Sequence, residues 1–478
     1  MIKTKIIATL GPASAQKDKI ETLARHGVDV FRLNFSHGNL DRHEQVLQNL
    51  NEIRREYSHA VAVMGDLCGP KIRTAPLEPD GQTLKAGDEV IIRPGEETGT
   101  AHCFGTNYEH FSRDVKIGQR IFIDDGQIIL QVQGENNDRK ICRVLVGGAL
   151  FSHKGINLPD TEVSVASITE KDWQCVDWAI KHQLEYLALS FVRSAAEIGQ
   201  LKEYLRQAES DIKVVAKIEK PQAVQALEDI VRASDAVLVA RGDLGVEMDL
   251  AEVPLIQKRI THLCRRLGKP VIVATQMLQS MINSATPTRA EVNDVANAIL
   301  DLTDAVMLSG ETAVGSYPVE AVETIRKIAH VTEAYLEQGN EPRPKIDTSE
   351  ELALTAAVAR SVAQIVDDTH AKLVAVWSQN GASARLLSKA RIDVPILALS
   401  SRERICRQMA LHYGVIPRCQ PVPTDIPQFA DMVDEMVLQR NWAQAGDQIV
   451  LVAGKPLGAT GTTNAIMIHT LTDPGKKG

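Results

Sequence analysis

Charged and hydroxyl side chains recur at the ends of short apolar runs along the first two thirds of the chain. The second run closes with Arg32-Leu33-Asn34-Phe35-Ser36-His37-Gly38, and the third with Gly65-Asp66, followed by Lys71 and Arg73. The fifth ends Lys217-Ile218-Glu219, where period-two alternation puts Lys217 and Glu219 on one side of a strand. The last three end in Arg241-Gly242-Asp243, Ala274-Thr275-Gln276 and Ser309-Gly310-Glu311. Arg32, Arg73, Lys217 and Arg241 make a cationic set suited to phosphate and carboxylate oxygens. Glu219 and Asp243 are hard oxygen donors, better matched to magnesium than to a metal that favours thiolate or imidazole. Few carboxylates among many cations leave coordination positions for substrate oxygens. Phosphoryl transfer needs such an assembly: placed donors, a metal on the substrate, and cations where charge spreads over equatorial oxygens. Each piece alone has a plainer reading. A strand-end Arg–Glu pair serves structure, Gly242 suits a turn, Thr275 and Ser309 suit helix N-caps, and His37 suits a loop.

The elements that must hold these groups repeat. Apolar runs at Lys5–Leu10, Val28–Asn34, Ala60–Asp66, Tyr186–Phe191, Lys213–Glu219, Ala236–Asp243, Pro270–Gln276 and Ala305–Glu311 alternate with amphipathic stretches such as Glu197–Glu209 and Leu255–Leu267. Strands buried on both faces read as continuous apolar runs, so eight of them predict a closed parallel (β/α)8 barrel. Polar groups at the C-terminal ends of its strands then converge on one face. One gap, from Lys71 to about Val165, is too long for a crossover helix. It carries alternating segments at Asp88–Ile92, Arg120–Asp124, Gln127–Gln133 and Lys140–Val146, with turns at Asp125-Gly126 and Gly147-Gly148. This predicts a small β-barrel domain inserted in the third strand–helix loop, over the catalytic face as a lid. A linker at Gly339–Pro344 leads to Thr348-Ser349-Glu350-Glu351, a capping-box helix start. Strand-like runs follow at Leu373–Trp377, Pro395–Leu399 and Gln448–Val452, predicting a C-terminal doubly wound α/β domain. The expected division is 1–70 with 166–340 for the barrel, 71–165 for the lid and 345–478 for the third domain.

Composition excludes several classes. With 478 residues the chain exceeds one ordinary core, and the net charge of −8 argues against nucleic acid as a partner. No apolar run has membrane-spanning length. The seven cysteines are scattered without a CxxC pair, which reads as reduced thiols in a cytoplasm.

The sequence resembles the pyruvate kinase family from Thr4-Lys5-Ile6-Ile7 to Thr462-Thr463-Asn464. The resemblance rests on the Arg32–Gly38 segment, Lys154-Gly155-Ile156-Asn157-Leu158-Pro159, Val239-Ala240-Arg241-Gly242-Asp243-Leu244-Gly245, Ala274-Thr275-Gln276-Met277-Leu278 and Met307-Leu308-Ser309-Gly310-Glu311-Thr312-Ala313. It implies magnesium-dependent transfer of a phosphoryl group from phosphoenolpyruvate to ADP, giving pyruvate and ATP. It also implies a barrel, an inserted lid, a C-terminal regulatory domain and a homotetramer. By the same resemblance Glu219 and Asp243 hold magnesium, and Lys217 stabilises the phosphoryl group in flight. Gly242–Asp243 backbone with Thr275 holds the substrate carboxylate, and Arg32 its phosphate. Asn34, Ser36, His37, Arg73 and Lys154 fall at nucleotide- or phosphate-contacting positions. Thr275 and Ser309 mark the side from which the enolate is protonated. Two competing readings are a pyruvate-enolate aldolase or lyase on a similar barrel and a non-catalytic sensor; neither needs Lys217, the Asn34–His37 loop and a lid together.

Two further features come with the resemblance. Many members hold potassium at positions matching Asn34, Ser36, Asp66 and the Leu67 carbonyl, with Thr at the Leu67 position and Glu at the Lys71 position. Members that need no potassium resemble this chain, with Leu and Lys there, although Cys68 matches neither pattern. A tethered Lys71 ammonium replacing a diffusible cation predicts activity without potassium. The loop Ser378-Gln379-Asn380-Gly381-Ala382-Ser383-Ala384 matches the family's effector-phosphate loop but lacks its usual basic residue, with Arg385 just after it. That favours a sugar monophosphate or AMP over fructose 1,6-bisphosphate; an ordinary capped helix start is the alternative.

Overall fold

The computed structural model describes residues 1–56, 60–338, 346–458 and 463–472. Eight parallel strands close a barrel: β1 (Lys5–Thr9), β2 (Val30–Asn34), β3 (Ala62–Asp66), β4 (Tyr186–Leu189), β5 (Lys213–Ile218), β6 (Ala236–Ala240), β7 (Val271–Ala274) and β8 (Ala305–Leu308). Neighbours in the chain are neighbours in the barrel, and β8 pairs with β1. Both faces of the strands are buried, as continuous apolar runs require. Ile7, Val30, Met64, Val215, Leu238 and Ile272 fill the interior with a set of alanines. Flanking residues such as Ile6, Phe31 and Val63 face the helices instead. The apolar runs overshoot the strands at their C-terminal ends. Glu219, Thr275 and Ser309 therefore lie one residue past β5, β7 and β8, and Asp243 lies in the first turn of the helix Arg241–Glu247.

Between β3 and β4 lies the predicted β insert. Strands at Glu89–Pro94, Arg120–Ile123, Ile128–Asn136 and Arg139–Val146 match the alternating segments. Cys103–Thr106 and Ile156–Asn157 complete a six-stranded sheet, with Ile156–Asn157 at one end and Cys103–Thr106 at the other. Arg73 bridges to Gly155 beside one end and Thr74 bridges to Thr106 at the other, so the sheet curls back on itself. Its own apolar core includes Val90, Phe104, Phe111 and Leu130.

The C-terminal sheet orders Val415–Cys419, Ile396–Ser400, Val374–Trp377, Gln448–Ala453 and Ala465–Thr470, with only the last antiparallel. Helices pack on both faces. Glu350–Thr369, Ala382–Lys389 and Glu403–Met409 share one apolar cluster, and Ile426–Gln439 the other. This unit meets the barrel at the N-terminal ends of its strands: Lys5 donates to the Val415 carbonyl (2.8 Å), Arg404 to the Leu184 carbonyl (2.7 Å), and Lys389 pairs with Asp304. It therefore lies across the barrel from the catalytic face. The capping box expected at Ser349 is not made: Ser349 stands at the N-cap of its helix without a side-chain cap hydrogen bond. The linker at Gly339–Pro344 lies outside the described residues.

Candidate active site

The strand ends build a line of alternating charges. Arg32, at the end of β2, donates through Nε to Asp66 Oδ2 (2.7 Å) and through a second nitrogen to the Thr9 hydroxyl (3.1 Å). Asp66 ends β3 with 1% of its surface exposed, and its other oxygen meets the Lys217 ammonium at 3.2 Å. Lys217 also reaches Glu219 Oε1 (2.9 Å) and donates to the Ser190 hydroxyl (2.8 Å). The remaining Glu219 oxygen accepts the Phe191 amide (2.7 Å). Period-two alternation did put Lys217 and Glu219 on one side.

Electrostatics follow from this geometry. Burial opposes the Asp66 charge, but Lys217 and Arg32 more than offset it and hold the carboxyl below its usual range. Burial opposes the Lys217 charge as well, yet Asp66, Glu219 and Asp243 carry its pKa upward, so it stays an ammonium. Glu219 goes the other way: burial raises its pKa, Lys217 resists, and the nearby Asp243 charge raises it further. Two carboxylates that repel one another, both hard donors, make a fitting seat for a divalent cation. Among the described residues no three or more His, Cys, Asp or Glu side chains gather as a metal-holding group.

The side expected to take the substrate carboxylate is built largely from backbone. The Gly242 amide donates to the Thr275 hydroxyl (2.7 Å), and a Cβ at Gly242 would press on that oxygen at 3.3 Å. Thr275 has φ of +69°, a strained conformation for a β-branched residue. Glu311 helps to hold it, accepting the amides of Leu278 (3.0 Å) and Ser309 (2.8 Å) and so joining the β7 and β8 ends.

A cavity of about 340 Å³ lies between the barrel mouth and the insert, lined among others by Lys71, Arg73, Lys154, Phe191 and Asp243. A second, about 250 Å³, is lined by Pro12, Asn34, His37 and Arg42. The expected nucleotide set is therefore split: Asn34 and His37 line one cavity, Arg73 and Lys154 the other. Lys154 pairs with Asp124 (3.0 Å) inside the insert, and Arg73 donates to the His153 carbonyl (2.9 Å). Burial and the charges of Lys71, Arg32 and Arg73 keep His37 neutral-leaning, its pKa lowered. Ser36 donates its amide to the Asn34 side chain (3.1 Å). Lys71 sits at the mouth of the first cavity, open to solvent along part of its length. Burial of the rest, with Arg73 and Lys217 nearby, lowers its pKa, and Asp243 opposes that. The Leu67 carbonyl accepts the Ser190 hydroxyl (2.7 Å), and the Cys68 amide donates to Asp172 (2.8 Å).

Arg241 departs from the expectation. Its guanidinium turns to Asp294 (2.7 Å) and the Thr275 carbonyl (2.9 Å), so it braces the β7 loop. Thr9 and Ser190, absent from the strand-end inventory, belong to the network; Thr9 ends β1 and Ser190 lies one residue past β4, and the same rule applied to all eight strands would have found them. Arg385 is also placed elsewhere than beside the effector loop: it is largely buried and donates to the Gly268 carbonyl of the barrel. Within that loop Asn380 caps the Ala382 amide (3.1 Å) and Gly381 takes φ of +82°.

A parallel barrel with a buried Lys–Glu–Asp cluster at its strand ends, roofed by an inserted β unit, is an arrangement suited to phosphoryl transfer. Residues 1–322 match the model of the pyruvate kinase barrel domain and residues 356–469 that of the pyruvate kinase alpha/beta domain. Pyruvate kinase of Thermococcus litoralis is 39% identical over 477 residues, 98% of either chain. That of Geobacillus stearothermophilus is 39% identical over all of this chain and 81% of its own. A crystal structure of a pyruvate kinase from Cryptosporidium parvum superposes with a TM-score of 0.90 at 32% identity, covering 98% of this chain and 96% of that one. The chain belongs to the pyruvate kinase family, glycolytic phosphotransferases that convert phosphoenolpyruvate and ADP to pyruvate and ATP. Members of the family generally use magnesium and often potassium.

Proposed function

We propose that the strand-end cluster performs this transfer with each residue in the role its position suggests. The alternating contacts from Arg32 through Asp66 and Lys217 to Glu219 carry this reading. Glu219 and Asp243 would hold magnesium, which when bound supplies positive charge to the substrate's phosphate and carboxylate oxygens. Arg32 grips the phosphate from a buried mount. Lys217 meets the phosphoryl group as its bond to the enol oxygen breaks and the β-phosphate oxygen of ADP forms a new one. The Gly242 amide and the Thr275 hydroxyl, now bonded to each other, open to the substrate carboxylate. The enolate takes its proton at carbon from the Thr275 and Ser309 side, through water. Asn34, Ser36 and His37 seat the nucleotide, with Arg73 and Lys154 brought in from the insert as it closes. A lactate dehydrogenase-coupled assay with phosphoenolpyruvate and ADP tests the assignment, since Lys217→Met must abolish turnover while leaving the fold intact.

The remaining roles are part of the same proposal. Lys71 stands in for potassium at the Asn34, Ser36, Asp66 and Leu67 position, supported by its place with Arg73 and Asp243 in the lining of the first cavity. The loop Ser378–Ser383 takes a phosphorylated effector; its residues at the start of an eight-residue helix support this, although Asn380 already caps one amide. A homotetramer would cover exposed Leu255, Val331, Tyr335 and Leu354 on three helices. The domain limits stay at 1–70 with 166–340, 71–165 and 345–478. Cytoplasmic location accords with seven free cysteines and with the lack of any helix, among the described residues, long and apolar enough to cross a membrane.

A further inference from the structure

A second strongly cationic site lies far from the catalytic face, where the barrel meets the C-terminal unit. A cavity of about 710 Å³ is lined by Arg54 and Arg55 from the helix Leu40–Glu56, Arg407 from the helix Glu403–Met409, Arg418 from the strand Val415–Cys419, and Arg440 just beyond the helix Ile426–Gln439. Two carboxylates serve this group. Buried Glu185 takes Arg54 (2.7 Å) and Arg407, and exposed Glu403 takes Arg407 again (3.2 Å). Among the described residues, five guanidiniums share two carboxylates, which leaves three of them without an ion pair.

The surplus falls on particular side chains. Arg55, Arg418 and Arg440 make no ion pair among the described residues. Arg418 donates only to the carbonyl of its neighbour Pro417 (2.8 Å), and its Nε is buried with no hydrogen-bond partner. Arg418 and Arg440 face the ring of Trp442 at 5.8 and 5.6 Å, which brings two like charges together. Burial and the Arg440 charge pull the Arg418 pKa down to about 10, the mark of a cation that lacks its anion. Guanidinium groups with free edges pair in two-toothed fashion with phosphate oxygens. The cavity exceeds one phosphate, and Asn51, Gln420 and Glu403 line the rest with amide and carboxylate groups that suit hydroxyls.

We propose that this cavity binds a phosphate monoester carried on a hydroxyl-bearing body, at a site separate from the Ser378–Ser383 loop, none of whose residues line it. Ligand oxygens would join the barrel helix that bears Arg55 to the C-terminal strand that bears Arg418. Isothermal titration of the whole enzyme with ribose 5-phosphate, followed in parallel by tryptophan fluorescence, tests this. Saturable binding with a change in emission is expected, with inorganic phosphate binding more weakly and ribose not at all. The Arg418→Gln/Arg440→Gln double variant should bind at least about tenfold more weakly, as loss of two charge-assisted contacts requires. Exposed Arg440→Gln alone should weaken binding without touching the fold. No saturable binding at millimolar ligand, or undiminished binding in the arginine variants, would overturn the site. Equal binding of phosphate and ribose 5-phosphate would overturn the hydroxyl-bearing ligand.

Discussion

Asp66→Asn isolates the residue on which the charge line turns. Asp66 meets Arg32 at 2.7 Å and Lys217 at 3.2 Å from full burial. At about 3 Å and an effective dielectric near 20, each contact is worth about 5 kcal/mol before desolvation is counted. Desolvation cancels much of that, and removing one member of a buried pair costs about 3–5 kcal/mol net, chiefly because the other charges stay buried. The amide keeps the shape and one acceptor oxygen but leaves Arg32 and Lys217 to repel each other. Turnover in the coupled assay should fall by about a hundredfold or more, since both cations lose their placement. The urea midpoint of the barrel should fall as well. A pH signature accompanies it. A carboxyl whose folded pKa is lowered contributes stability that is full above its unfolded value and lost as pH falls through the folded one. The wild type therefore loses stability on acidification below the ordinary aspartate range, and Asp66→Asn loses less. A variant that turns over within about threefold of wild type, with the same urea midpoint and acid profile, would refute the hub role.

Glu219→Gln and Asp243→Asn should each fold yet lose at least roughly a hundredfold in turnover and require more magnesium; near-wild-type rates at low magnesium would remove them as ligands. Lys217→Met should lose phosphoryl transfer while still exchanging protons on the methyl group of pyruvate, followed by deuterium uptake; loss of both would merge the two steps. Substantial turnover is expected in buffers whose only monovalent cation is bulky and organic, and Lys71→Glu should then need potassium. A wild type silent until potassium is added would return that ion to the site.

What the sequence disclosed and what it hid have physical reasons. Barrel strands were legible because burial on both faces demands unbroken apolar runs, and charges at the ends of such runs have nowhere to go except the mouth. Lys217, Glu219 and Asp66 were legible for that reason. Arg241 was misleading because residue type says nothing about direction: Asp294, 53 positions on, turns its guanidinium toward the β7 loop. Ser190 and Thr9 stand near the ends of the fourth and first runs, which the inventory passed over. The strand Val415–Cys419 hid behind Pro417, which a central strand would not accept but this edge strand does. Ala465–Thr470, also at an edge and half exposed, shows no clean alternation. The strain at Thr275 has no signature in composition, because it is set by Arg241 and Glu311 acting on the β7 loop.

Under the proposed roles, the balance of charge in the cluster couples metal binding to substrate binding. Arg32 and Lys217 contribute two positive charges, and Asp66, Glu219 and Asp243 three negative ones, so the set is negative by one unit. A substrate bearing phosphate and carboxylate approaches an unfavourable field despite the arginine and lysine. A divalent cation at Glu219 and Asp243 reverses the sign of the set and relieves the repulsion that raises the Glu219 pKa. The roof enters the same balance: Arg73 and Lys154 bring positive charge above the mouth, and Asn157 of the insert donates to Glu247 of the barrel (2.8 Å), which also binds Lys220. Low magnesium should accordingly raise the apparent KM for phosphoenolpyruvate more steeply than it lowers kcat, because the missing charge is felt first on approach.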